Sequence, residues 1–308
     1  MLRRRALGLL AGLAFGLAAC SNGGTGSATP SATPTAAAYP VTVGTLTLAQ
    51  QPTKIVSLGP TATEMLFAIN AGPQVVAVDD QSNYPAGVPK TDLSAFKPSA
   101  EAIAAKNPDL VVLTNDSDKI VDQLTALKIP VFLAPAAKTI DDTYTELADL
   151  GKLTGHTDDA AKVVTDMKTQ LDAVVKTVTA RSKPLTYFYE LSPDLYSATS
   201  KTFIGSIFTL FGLQNVADAA DADGKAFGYP QLSSEALVKA NPDLIFLADS
   251  KCCQQSADTV KARPGFAGIT AVGKGQVVAL DDDIASRWGP RVVELAKTIA
   301  DAVNKVPA

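Results

Sequence analysis

Two glutamates stand in matched surroundings: Glu101 in SAEAIAAKNPDLVVL and Glu235 in SSEALVKANPDLIFL, 134 positions apart. Each follows a serine by two places and precedes a short apolar turn, Asn-Pro-Asp-Leu and an aliphatic run. Ser99 and Ser233 are residues of the kind that cap helices, which puts each glutamate at the second helical position. There the helix dipole favours an acid by about 0.3–1 kcal/mol, and a single such acid needs no other purpose. Two in matched places could also face guanidinium groups of one partner, since such charge-assisted contacts fix orientation and register.

Cys252 and Cys253 form a second chemical feature. Adjacent Cα atoms lie about 3.8 Å apart across a trans peptide, closer than an ordinary disulfide allows. The pair reads either as a strained vicinal disulfide or as two reduced thiols in a loop. Used as a redox dithiol it would make a different class of protein, but it lacks the two-residue spacer of dithiol oxidoreductases.

Other chemistry is poorly supplied. The one histidine, His156, is expected at a helix start, and one histidine cannot build a zinc or manganese cage. No G-x-S-x-G elbow, phosphate loop or dinucleotide glycine pattern occurs. The chain is therefore expected to be no enzyme, with no catalytic residue, no cofactor and no metal held directly.

The elements that would position these residues alternate. TKIVSLGP reads as a strand, TATEMLFAINAG as a helix, QVVAVDD as a strand; the first glutamate unit supplies a short helix and a strand, and PVFLAP another strand. Short apolar runs alternating with helical periods predict an α/β unit with a mostly parallel sheet. From Thr157 to Arg181 there is no Gly or Pro, and Ala160, Val164, Met167, Leu171, Val174 and Val178 recur in steps of three or four. This predicts one long amphipathic helix of nearly 37 Å. After Lys183-Pro184 the alternation resumes. The fold class is α/β, two Rossmann-like lobes with mostly parallel sheets joined by one long rigid helix, with lobes at 39–155 and 183–308 and the joining helix at 156–182. Thr61-Ala62-Thr63-Glu64 has capping-box spacing, which gives Glu64 a structural role at the start of the first helix.

The first nineteen residues, with Arg3 to Arg5 ahead of an apolar run, are laid out as a secretory signal too short to span a membrane. Leu17-Ala18-Ala19-Cys20 resembles the lipobox of bacterial lipoproteins, in which Cys20 is acylated. Residues 20–38 continue as an uncharged Ser, Gly, Thr, Pro and Ala stretch, expected to be a disordered tether. Losing the signal removes three arginines and no acid, moving the formal charge from −4 to −7 and leaving no basic surface for nucleic acid.

The layout and the residues TKIVSLGPTATEMLFAINAG, SNYP, SAEAIAAKNPDLVVL, TFIGSIFTLFGLQNV, SSEALVKANPDLIFL and RWGPR resemble the helical-backbone (class III) solute-binding proteins of ABC importers for ferric siderophores, haem and vitamin B12. The likeness runs from Gly44 to the end of the chain. It implies a rigid interlobe helix, a shallow cleft between the lobes, and a cargo that is a metal chelate: a ferric siderophore type, or alternatively a corrinoid or haem. It also implies a monomer anchored by lipid on the extracytoplasmic face of the cell membrane. The implied partners are an importer permease with its ATPase, and the permease would be met by Glu101 and Glu235.

In such lobes ligands gather at the carboxyl ends of the strands. Candidate contacts are Tyr84 in Ser82-Asn83-Tyr84-Pro85, Asn115 in Thr114-Asn115-Asp116, Tyr189 beside Glu190, and Trp288. Phe96 lies near the place of a cleft tryptophan in the B12-binding members. Arg287 and Arg291 occupy the arginines of the family's R-x-x-P-R pattern, with Arg287 the leading ligand contact or, alternatively, an ion-pair partner of Asp281 to Asp283. Tyr187 and Tyr189 are expected on opposite sides of their strand.

Overall fold

The computed structural model describes residues 39–307, so the signal segment, Cys20 and the tether lie outside the described residues. An antiparallel hairpin, β1 (Val41–Val43) and β2 (Leu46–Leu48), opens the described chain. The first sheet contains β3 (Ile55–Leu58), β4 (Val75–Val78), β5 (Leu110–Leu113) and β6 (Val131–Leu133), all parallel, in the order β4-β3-β5-β6. Around it lie α1 (Pro60–Ala68), α2 (Ala100–Ala104), α3 (Ile120–Ala126) and α4 (Ile140–Thr154), followed by α5 (Thr157–Val175).

The second sheet contains β7 (Thr186–Glu190), β8 (Gln214–Asn215), β9 (Leu244–Leu247) and β10 (Val277–Ala279), also parallel, in the order β10-β9-β7-β8. Its helices are α6 (Phe203–Thr209), α7 (Ser234–Ala240), α8 (Ala257–Lys261), α9 (Thr270–Gly273), α10 (Asp282–Ala285) and α11 (Val292–Lys305). Within each sheet the first strand in sequence is flanked by the second on one side and the third on the other, so the two lobes share one topology. In both, the glutamate helix immediately precedes the third strand.

Side-chain alternation divides each sheet between two layers. Leu110 and Val112 join the central core, whereas Val111 and Leu113 join a separate cluster on the outer face. In the second sheet Tyr187, Tyr189, Leu244 and Phe246 face the central core, and Phe188, Ile245 and Leu247 face outward to a second cluster. The inner faces of both sheets thus drain into one core around α4, α5 and α11, with Met167 and Leu171 of α5 and Ile299 and Val303 of α11 inside it. A core continuous between the lobes resists their separation.

Two expectations are corrected here. Tyr187 and Tyr189 share one face, because residues two apart on a strand point the same way; both pack on Phe208, with ring centroids 4.3 Å and 5.7 Å away. The joining helix is 19 residues, ending at Val175 instead of near Arg181. Beyond it the Thr177 hydroxyl donates to the Val174 carbonyl, and Asn304 donates to the Thr177 carbonyl. Side-chain bonds of this kind compete with the helical ladder.

Candidate functional site

The carboxyl ends of β3, β4 and β5 meet the segment 283–288 of the second lobe around a cavity of about 260 Å³. Thr61, Asp79, Phe96, Thr114 and Asn115 line it from the first lobe, and Asp283, Ser286, Arg287 and Trp288 from the second. Its floor is fixed by Asp79, a buried carboxylate at the end of β4. Asp79 Oδ2 accepts from the Gly59 N–H at 2.6 Å and from Ser82 Oγ at 2.8 Å, while Oδ1 accepts from the Gln81 N–H at 2.8 Å. Gly59 is required by close approach: a Cβ there would stand 2.2 Å from Thr114 Cγ2. The loops after β3, β4 and β5 are thereby held in mutual register under the cavity.

The two lobes are clasped beside it. Arg287 Nη1 donates to Glu64 Oε1 at 2.6 Å and to Asn83 Oδ1 at 2.9 Å, and Nη2 donates to Asp283 Oδ1 at 2.8 Å. Arg291 Nε donates to Glu64 Oε2 at 2.9 Å, and its Nη2 donates to Oε1. Glu64 is 3% exposed, so this is a buried carboxylate gripped by two guanidinium groups from the other lobe. Trp288 is tied to α4 as well: its indole N–H donates to Glu146 Oε2 at 3.1 Å, and its carbonyl accepts from the Thr143 hydroxyl at 2.8 Å. Burial raises Glu146 to about 7, against the pull of the Trp288 N–H.

This overturns one sequence reading and qualifies another. Glu64 is no capping-box residue, because α1 starts at Pro60 after Gly59 with no side-chain cap. Arg287 lines the strand-end cavity, as expected of a ligand contact, but its donors are engaged by Glu64, Asn83 and Asp283. The alternative of an ion pair within 281–283 is realised at Asp283, and the larger partner, Glu64, is 223 positions away in sequence.

The remaining candidates separate into three groups. Phe96, 74% exposed, and Asn115 line the strand-end cavity with Arg287 and Trp288. Tyr84 and Arg291 line a different cavity of about 440 Å³ between α1, α5 and α11, with Arg291 stacked 4.1 Å from the Tyr84 ring centre. The larger cavity is away from the strand ends, and the Glu64 cluster partitions the two. Tyr189 is fully buried and donates to the Ala285 carbonyl at 2.8 Å, so it is a core residue and not a cleft contact. His156 is at the start of α5, 3.1 Å from Asp159.

Three exposed aromatics escaped the sequence reading: Tyr196, Phe227 and Tyr229. They belong to two segments after β7 that pair with each other, the Ser197 N–H donating to Pro230 and the Thr199 N–H to Gly228. The available signal was the AFGYP run, in which two aromatics flank a glycine ahead of a proline. At the equivalent end of the second sheet Glu190 receives both Nη atoms of Arg263, at 2.7 Å and 2.5 Å. Asp249, fully buried beside it, has neither carboxylate oxygen hydrogen-bonded.

Glu101 and Glu235 are exposed, each at the second position of its helix. Ser99 Oγ accepts from the Ala102 N–H at 3.2 Å and Ser233 Oγ from the Ala236 N–H at 3.1 Å, so the two turns are built alike.

Comparison with known proteins fits this architecture. Residues 55–284 match the model of the periplasmic binding protein family. The chain belongs to the periplasmic binding protein family. It is 29% identical over 86% of its length to the uncharacterized ABC transporter substrate-binding lipoprotein YvrC of Bacillus subtilis, covering 86% of that protein. It is 30% identical over 84% of its length to the cobalamin-binding protein of Halobacterium salinarum, covering 71% of it. The crystal structure of a possible iron-binding (periplasmic solute-binding) protein from Staphylococcus epidermidis superposes with a TM-score of 0.71 at 28% identity, over 83% of this chain and all of that one. Membership makes the protein a solute-binding protein and not an enzyme. Among the described residues no helix is long and apolar enough to cross a membrane.

Proposed function

We propose that this protein is an extracytoplasmic receptor that captures a metal chelate in the interlobe cleft and delivers it to the permease of an ABC importer. The cargo we favour is a corrinoid. The observation that carries this choice is the cancelled charge of Arg287. The cavity's charged residues are Asp79, Asp283 and Arg287, and that guanidinium already neutralises buried Glu64 and Asp283. A strongly anionic ferric catecholate would meet carboxylates and no spare cation, at a cost in desolvation. A corrinoid offers a wide apolar ring and a rim of neutral amides, suited to exposed Phe96 on one lobe, and to Phe227 and Tyr229 on the other. The named cobalamin-binding relative supports the same reading.

A neutral ferric hydroxamate is the second reading, and the Staphylococcus epidermidis protein, described as possibly iron-binding, agrees with an iron-containing cargo. Lipid attachment through Cys20 follows from the sequence motif and agrees with the relative named a lipoprotein. Glu101 and Glu235 are the permease contacts in this reading.

The test is a titration panel followed by Trp288 fluorescence, using cyanocobalamin, a ferric hydroxamate, a ferric catecholate and haem. Saturable quenching by cyanocobalamin with none by the catecholate is expected. Tight catecholate binding would refute the charge argument, and silence toward all four would remove the chelate-receptor reading.

A further inference from the structure

The function above leaves Cys252 and Cys253 unused. Both are free and exposed, on the loop between β9 and α8. The loop's backbone is pinned on two sides. Asp282 accepts from the N–H of Lys251 at 3.0 Å, from the N–H of Cys252 at 2.8 Å and from Ser250 Oγ at 2.9 Å. The Cys253 N–H donates to the Asp249 carbonyl at 3.2 Å, and Gln254 then turns the chain away with φ of 56°. The peptide joining the cysteines is therefore held while both side chains stay in solvent. One peptide unit separates the two residues, so neither thiol can move far from the other.

We propose that Cys252-Cys253 is a redox-modification site, at which the two neighbouring thiols close into a vicinal disulfide by exchange with a small-molecule disulfide. The Cys253 thiolate attacks one sulfur of the oxidant, forming a mixed disulfide and releasing one thiol. Cys252 then loses its proton to solvent and attacks the Cys253 sulfur, expelling the second thiol. Two S–H bonds are lost and one S–S bond forms in the protein, while the oxidant's S–S bond takes up two electrons and two protons. In this second, intramolecular attack the closeness of adjacent residues offsets a small thiolate fraction at Cys252. Adjacent Cα atoms give a shorter span than ordinary disulfides use, so the ring is strained and easily reduced. An oxidising compartment supplies the conditions for closure. Opening and closing would be reversible, in contrast to a structural bridge. The proposal does not depend on which cargo the cleft takes.

The test is incubation of the purified protein with oxidised glutathione, followed by mass spectrometry of the peptide carrying both cysteines. Expected is loss of two hydrogens with no glutathione retained, reversed by excess reduced glutathione. The variants Cys252→Ser and Cys253→Ser should each retain one glutathione on the remaining thiol. Two glutathiones on the wild-type peptide, an intermolecular dimer through it, or no change at all would each overturn the proposal.

Discussion

Asp249, two residues beyond β9, is fully buried with both carboxylate oxygens unpartnered, and burial together with neighbouring Glu190 raises it to about 7. Arg263 pulls the other way but is outweighed, its Nη atoms donating to Glu190 and Gln255 and not to Asp249. The protonated carboxyl is the form the folded state prefers. Its contribution is complete below the ordinary value of 3.8 and is lost as pH rises through about 7. Asp249→Asn removes this titration while keeping the shape. Urea unfolding should find the variant about 1–3 kcal/mol more stable than wild type at pH 8 and nearly equal to it at pH 4. Equal shifts at both values would contradict the assignment. The single tryptophan supplies a second check, since its indole donates to Glu146, raised to about 7. Trp288 emission should titrate near that pH, and Glu146→Gln should flatten the curve. Neither acid stood out in the sequence, because burial and orphaned oxygens are properties of the assembled lobe. The serine caps ahead of Glu101 and Glu235 were legible, because a cap is a local bond over three residues.

At the scale of elements, RWGPR clasps α1 and α4 of one lobe to the body of the other while Arg287 and Trp288 also line the strand-end cavity. The strand and helix alternation was readable from periodicity alone, and so was the start of α5 at Thr157. The clasp was not, because it pairs Glu64 with arginines more than 200 positions later, and nothing local marks that contact. Thr61 to Glu64 matched a capping motif by spacing, yet the Pro60 start moves the helix and points Glu64 across the interface. Removing one member of a buried ion pair leaves the others uncompensated. Glu64→Ala should therefore cost about 3–5 kcal/mol of stability, measured by urea unfolding, whereas Glu101→Ala should fall within about 0.5 kcal/mol of wild type. A Glu64→Ala protein as stable as wild type would mean the clasp carries no energy.

At the scale of the molecule, two lobes of one topology present one capped glutamate each, and a core shared through α5 and α11 keeps their spacing. A partner that grips both lobes needs both acids. Glu101→Arg with Glu235→Arg should abolish uptake in cells while leaving chelate affinity within about twofold, since neither residue lines the cleft cavity. Intact uptake by the double variant would refute permease docking there. The repeated glutamate unit revealed this duplication in the sequence, but the exposed aromatics Phe227 and Tyr229 emerged only once folding paired their segment with the one that follows β7. The central claim, a corrinoid held between aromatic faces of the two lobes, is tested most directly by calorimetric titration of cyanocobalamin into wild type and into the Phe96→Ala, Phe227→Ala double variant. One corrinoid per chain, with affinity at least about tenfold weaker in the variant, is the predicted result; no binding by wild type, or equal affinity in the two proteins, would contradict it.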